Sequence, residues 1–279
     1  MRKKIVFIFL IFIFSSFGQE FSHIKNFGIE YNFYELDTPR PIKIHVLKVD
    51  LSKNFVEIKV IPSGDPDGNG PAEAELTNPL KLIKKEKEVI AFINTNPWDS
   101  FPDSKGNINR KWYEGQYVDI KGLVVSDGKF YSEPETTYIS VFINKEGKLE
   151  IKKSLNKDEV MEGVAGFNQI VKDGQIIIEQ SEKLNPLTGI GVDKSGYIVY
   201  FVVVDGRQKG YSEGMSLFEL ADFMLKLGCW NVAQMDGGGS SIMGLIDNKR
   251  KIRIVNKPSD GRIRPLPVIM IVKRKGSKR

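Results

Sequence analysis

Asp236, Ser240 and Ser241 flank three consecutive glycines in "QMDGGGSS" (234–241), directly after an apolar stretch. Glycine in such a run costs conformational entropy on folding. The spacing implies that the backbone turns tightly and that a ligand or a neighbouring group comes close. Free N–H groups in a glycine turn can form a nest that favours an anion, phosphate above all. The two hydroxyls add donors, and Asp236 adds a carboxylate. A tight structural turn with a capping Asp uses the same residues. A second carboxylate, Asp205, ends the apolar run "YIVYFVVVDG" and is followed by Gly206 and Arg207. An Asp before a Gly also serves as turn chemistry.

Other chemistries find little support in the composition. Cys229 is the only cysteine, so no internal disulfide can form, and we read it as a small core residue rather than a nucleophile. His23 and His45 are the only histidines and lie far from the glycine run. That argues against a zinc site and against a Ser-His-Asp triad built on Ser240. "DPDGNG" (65–70) matches the first half of a calcium loop through Asp65, Asp67 and Asn69. Its twelfth position is Leu76, where a bidentate Glu is required. No cofactor is expected with certainty, and a divalent cation such as calcium stays open.

The positioning elements follow from periodicity. "SLFELADFMLKLG" (216–228) reads as a helix with an S-x-x-E capping box from Ser216 to Glu219. Leu217, Leu220, Ala221, Met224 and Leu225 give it one apolar face. Residues 197–206 and 231–236 read as strands on either side of it. Strand, helix, strand implies a parallel crossover that brings Asp205 and Asp236 out at one sheet edge. "PIKIHVLKVDL" (41–51), "FVEIKVI" (55–61) and "VIAFI" (89–93) read as further strands, the last ending at Asn94. Residues 78–87 read as a helix entered from Thr77, and 95–118 as a long loop. The aromatic residues of that loop, Trp98, Phe101, Trp112, Tyr113 and Tyr117, suit either sugar stacking or packing. The expected fold is α+β, a single domain on a mixed β-sheet with a C-terminal βαβ unit and flanking helices.

The first eighteen residues have a basic start, an apolar run from Ile5 to Phe14, and small residues Ser16 and Gly18. This is a secretory signal pattern, with cleavage before Gln19. Residues 19–41 read as a lead-in, 42–273 as the functional domain, and 274–279 as a basic tail. The expected location is secreted, periplasmic or cell-surface, with no stable membrane span after cleavage. Removing three basic and no acidic residues lowers the formal charge from +6 to +3. That mild excess does not call for nucleic acid.

"VDGRQKGYSEGMSLFELADFMLKLGCWNVAQMDGGGSSIM" resembles the signature of the phosphodiester glycosidase family. The likeness extends back through "GVAGFNQIVKDGQII" and forward to "NKPSDGRIRPLPVIMIV". It implies a secreted hydrolase that cleaves an alpha-N-acetylglucosaminyl-phosphodiester-like bond in a polysaccharide or glycoconjugate. It implies Asp236 and Asp205 as catalytic groups. Substrate or phosphate contacts are expected from Asn94, Arg207, Gly237, Gly238, Gly239, Ser240, Ser241, Thr188 and Arg264. Two stretches depart from the family pattern. An asparagine motif that usually carries glycines reads "NTNPWD", and Leu187 in "NPLTGIG" stands where the family often has arginine. Arg207 and Arg264 are the candidate replacements for that cation. A non-catalytic glycan-binding or cell-envelope structural protein on the same fold is the alternative.

Overall fold

The seven residues Ile198 to Val204 alternate between two apolar layers, and this explains their unbroken hydrophobicity. Val199, Phe201 and Val203 face the main core, whereas Val202 and Val204 face a second cluster under a helix. A strand covered on both faces needs no polar side. The structure is a computed structural model that describes residues 20–68, 70–102 and 105–276. The proposed signal segment, Asn69 and the last three residues of the basic tail lie outside the described residues.

Four sheets make up the described fold. A seven-stranded sheet has the order Ile29–Leu36, Ile42–Asp50, Ile198–Val204, Leu187–Val192, Asn231–Gln234, Asn168–Lys172, Gln175–Ile176. A five-stranded sheet runs Ile252–Ile254, Met243–Ile246, Val89–Asn94, Val268–Arg274, Val56–Pro62. Its residues Val60, Ile93, Met243 and Met270 pack with Leu47, Phe201 and Ala233 of the first sheet in one core. A second five-stranded sheet contributes Val124, Val141 and Val164 to that core, and a three-stranded sheet completes the described strands.

The single mixed sheet is corrected, and the two strands of the expected βαβ unit are not neighbours. All ladders between the described strands are antiparallel. The Ile198–Val204 and Asn231–Gln234 strands do run the same way, because each is antiparallel to Leu187–Val192. That strand lies between them, so the helix crosses over an inserted neighbour. The register pairs Leu187 with Val204 and Gly189 with Gln234. Both carboxylate-bearing ends therefore emerge at the same sheet edge.

The crossover helix is Leu217–Lys226, with both arms of the Ser216–Glu219 capping box formed. Leu220, Ala221 and Met224 are buried against the sheet. The expected 78–87 helix is shorter: one turn, Pro79–Leu82, capped by Asn78 rather than Thr77, then the 3-10 turn Ile83–Lys85. The lead-in also folds, since Ile29–Leu36 pairs along its whole length with Ile42–Asp50. Within 95–118, Trp98–Ser100 and the start of Tyr117–Ile120 form strands.

The glycines of "TGIG" are where the helix layer comes down on the sheet. A Cβ on Gly191 would sit 2.5 Å from Cys229 Sγ and 2.9 Å from Met224 Cε. We predict that Gly191→Ala overpacks this layer and lowers stability by about 1–3 kcal/mol. A urea melt with an unchanged midpoint would contradict the packing.

Candidate functional site

Three strand ends meet around the glycine run, and Asn94 fastens them. Its side chain is buried at the end of Val89–Asn94. Asn94 Nδ2 donates to Asp236 O at 2.7 Å, and Asn94 Oδ1 accepts from Thr188 Oγ1 at 2.9 Å and from Ile242 N at 3.0 Å. Thr188 Oγ1 also lies 3.2 Å from Ser241 Oγ. On the backbone, Asp236 N donates to Thr95 O and Met235 N to Thr188 O, both at 2.9 Å. Asn94 and Thr188 thus fix the position of the loop, and their polar atoms are occupied in doing so.

The glycines answer to two arginines. Gly238 has φ +62°, and a Cβ there would lie 3.0 Å from Arg207 Nη1. A Cβ on Gly239 would fall inside the van der Waals envelope of Asp260 Oδ1 and Arg264 Nη2. Only a chain without side chains lets the Arg207 guanidinium and the Arg264–Asp260 pair close on the loop. Of the amides expected in a nest, one is turned to the protein itself. Gly238 N donates to Pro186 O at 3.0 Å. Ser240 N and Ser241 N donate back to Gly237 O and Gly238 O, closing the Gly238–Ser240 3-10 turn.

Asp236 opens this loop and is half-buried. Burial pushes its carboxyl up to about 6, against the pull of the Ser240 hydroxyl, Arg264, the Gly237 N–H and Arg207. Arg264 Nη1 donates to Ser240 Oγ at 3.1 Å, and Arg264 pairs with Asp260 at 2.7 Å. Arg207 Nη2 donates to Asn185 Oδ1 at 2.9 Å. The result is a carboxylate whose loop is approached by two cations.

Asp205 is in a different situation. It is buried, and donors surround its carboxylate: Lys257 N at 2.9 Å, Asn256 Nδ2 at 3.2 Å, Tyr211 OH at 3.3 Å and His45 Nε2 at 3.4 Å. Tyr31 OH lies 2.8 Å from His45 Nδ1. Burial and the nearby Asp205 raise the phenols of Tyr31 and Tyr211. Asn256 also donates to Ser241 O at 3.0 Å and accepts from Met243 N at 2.9 Å. Asp205 is therefore joined to the glycine loop through Asn256. The backbone approach beside it needs Gly206, whose Cβ would meet Pro186 N at 2.6 Å and Asn185 C at 2.9 Å.

Leu187 lies in the apolar cluster beneath the helix, and the next residue, Thr188, meets Asn94. In the 65–70 turn, Asp65 Oδ1 accepts from Asp67 N and Gly68 N, and Asp67 Oδ2 accepts from Ala72 N. Among the described residues no group of three or more His, Cys, Asp or Glu is placed to hold a metal ion. Trp98 and Trp112 pack edge to face at 5.7 Å, with Trp98 against two core clusters, while Tyr113 and Tyr117 are exposed. Asn256, Asp260 and Asn185 were not singled out in the sequence. The one local signal was the Asp260 to Arg264 spacing, at i,i+4 in "DGRIR".

Residues 90–273 match the model of the phosphodiester glycosidase family. The N-acetylglucosamine-1-phosphodiester alpha-N-acetylglucosaminidase of Mus musculus is 26% identical over 146 residues, covering 43% of this chain and 28% of the mouse protein. The Bos taurus protein of the same name is 27% identical over 159 residues, 48% of this chain and 29% of its own length. The match spans under a third of these curated relatives. Among solved structures, the zebrafish catalytic domain of that enzyme, auto-inhibited by its pro-peptide, aligns with a TM-score of 0.58 and 20% identity. It covers 88% of this chain and 82% of the zebrafish chain. A hypothetical protein from Synechocystis gives the same TM-score at 10% identity, covering 89% of this chain and 62% of its own.

The raised Asp236 carboxyl makes a stability prediction. A carboxyl with a higher folded than unfolded pKa favours the folded state when protonated, and that contribution is lost as pH rises through about 6. We predict that Asp236→Asn is more stable than wild type at neutral pH, by up to about 3 kcal/mol. The gap should close as pH falls towards 4. Urea melts across this range check it, and an Asn variant that is less stable at neutral pH would contradict it. Gly238→Ala, by contrast, should cost about 1–2 kcal/mol for its left-handed backbone and displace Arg207.

Proposed function

Because this chain belongs to the phosphodiester glycosidase family, we propose that it is an exported hydrolase that cleaves a sugar-1-phosphodiester bond, with Asp236 as its catalytic carboxylate. The observation that carries this reading is the position of Asp236, half-buried beside Ser240 and near Arg264 and Arg207. The bond cleaved would be of the alpha-N-acetylglucosaminyl-phosphodiester type that the names of the mouse and bovine relatives describe.

Hydrolysis at an anomeric carbon passes through an oxocarbenium-like state. Water supplies the new C1–O bond, and the bond from C1 to the phosphate oxygen breaks. Its electron pair leaves with the phosphate. A phosphodiester leaving group is a weak base, so it needs little proton donation. It needs stabilisation of its negative charge, which fixed cations and donors supply. Arg207, Arg264 and Ser240 are assigned that part. Asp236 in its ionised form serves as base or nucleophile. Asp205, with its carboxylate held by four donor groups, is assigned to positioning: it holds Asn256, which holds the glycine loop. A serine hydrolase is a poorer reading, since Ser240 Oγ meets Arg264 and Asp236, and His45 is engaged with Asp205 and Tyr31.

The reading makes kcat/KM rise with pH through about 6 and level off above it, because the ionised carboxylate is the working form. Asp236→Asn should lose about 10²–10⁴-fold in turnover while retaining binding. A panel of sugar-1-phosphodiesters, assayed with and without divalent ions, tests the activity. Wild-type rates in the Asn variant would remove Asp236 from the mechanism. Binding without turnover across the panel would favour the non-catalytic glycan-binding alternative. Export is tested by N-terminal sequencing of protein recovered outside the cytoplasm. The mature chain should begin near Gln19, and recovery of Met1 would reject cleavage.

A further inference from the structure

Cations beyond the two at the glycine loop lie on two segments that bond to the site. At one end, Arg207 and Lys209 lie in the turn closed by the Gln208–Ser212 bridge, beside Lys257, whose ammonium stands 4.5 Å over the Tyr211 ring. Gln208 Nε2 donates to Lys257 O at 2.8 Å, which fixes these segments together. Arg207 then approaches Gly238, and Arg264 bonds Ser240. Two residues before Arg264, Arg262 Nη2 donates to Lys111 O at 2.8 Å and Trp112 O at 2.9 Å. That contact joins the site to the aromatic segment bearing Lys111 and the exposed Tyr113, 52% accessible.

Several nearby carboxylates are engaged elsewhere, whereas Asp236 faces Arg207 and Arg264 and Glu213 shares the Arg207–Lys209 turn. Asp260 pairs with Arg264, Asp99 with Arg110, and Glu114 with Lys81, while Asp205 is buried among donors. Among the described residues, Arg207, Lys209, Lys257, Arg262 and Lys111 form no ion pair with a carboxylate, so this band of cations keeps a positive charge. One phosphodiester carries one negative charge, and Arg207 and Arg264 are the cations nearest the glycine loop assigned to it. The cations beyond them extend the field in two directions along the surface.

We infer that the substrate is a polyanionic glycan chain, with further phosphodiester-linked repeats lying across this band on both sides of the bond that is cut. The inference rests on the reading of the site as a sugar-1-phosphodiester hydrolase and names its substrate class. Flanking phosphates lie along the Lys209–Lys257 end and the Arg262–Lys111 end. Sugar rings between them stack on exposed aromatic faces such as Tyr113.

The test compares a defined oligomer of several phosphodiester-linked sugar repeats with its single repeat capped as a methyl phosphodiester. Lys209→Glu and Lys111→Glu change one cation at each end of the band, and neither residue is assigned to the chemistry. We expect kcat/KM on the oligomer to exceed that on the single repeat and to fall about tenfold in the double variant, with the single repeat unchanged within about twofold. Raising salt should abolish the oligomer's advantage in wild type. Equal rates on both substrates, or equal losses on both, would overturn the inference and leave the hydrolase reading intact. If neither substrate is turned over, binding of the oligomer to wild type and double variant by calorimetry decides. Tenfold weaker binding by the variant upholds the polyanion surface while the hydrolase reading falls, and equal binding overturns both.

Discussion

The buried amide of Asn94 is the contact on which the site depends. It ends a strand of one sheet and bonds the backbone of a loop that leaves another. Its carbonyl and its amino group are both used, on Thr188, Ile242 and Asp236. Unpaired, these buried groups would each cost about 1–3 kcal/mol. The bonds therefore hold two sheets in one register at the point where Asp236 emerges. Asn256 repeats the arrangement on the other side, joining Asp205 to Ser241 and Met243. A loop of three glycines would otherwise have wide conformational freedom. Clamped at both ends, it becomes a fixed turn.

Electrostatics then separates two carboxylates that look alike in sequence. Both follow parallel-running strands at one sheet edge. Asp205 is ringed by donors in the interior, whereas the ionised form of Asp236 is penalised by burial and supported by Ser240 and two arginines. The glycines admit those arginines, and the Gly238 amide turns to Pro186 O. A charge kept near its tipping point is costly to stability and useful in chemistry, and for this reason the proposed function rests on Asp236.

Much of this was legible locally. The Ser216–Glu219 capping box, the two-faced Ile198–Val204 strand and the shared edge of Asp205 and Asp236 follow from residue type and period, and each appears in the structure. The insertion of Leu187–Val192 between the two parallel-running strands does not follow from either of them. It depends on pairing partners distant in sequence, as does the addition of Ile29–Leu36 to the sheet edge. Asn94 could be named as a site residue from its motif, but its role as a clamp could not. Its partners, Thr188, Asp236 and Ile242, lie more than ninety residues away. The glycine run was readable as a close-approach site. That the approaching groups are Arg207 and the Arg264–Asp260 pair required the fold.

The most direct measurement is the titration of the Asp236 side-chain carboxyl, followed by carbon NMR in selectively labelled protein with Asp236→Asn to assign the signal. The account predicts a midpoint near 6, set by burial against the pull of Ser240, Arg264 and Arg207. Neutralising Arg264 with Arg264→Gln should raise it further, because a cation that favours the ionised form is lost. A midpoint in the ordinary carboxylate range, indifferent to Arg264, would contradict the account. Asp236 would then be an ordinary solvated turn residue.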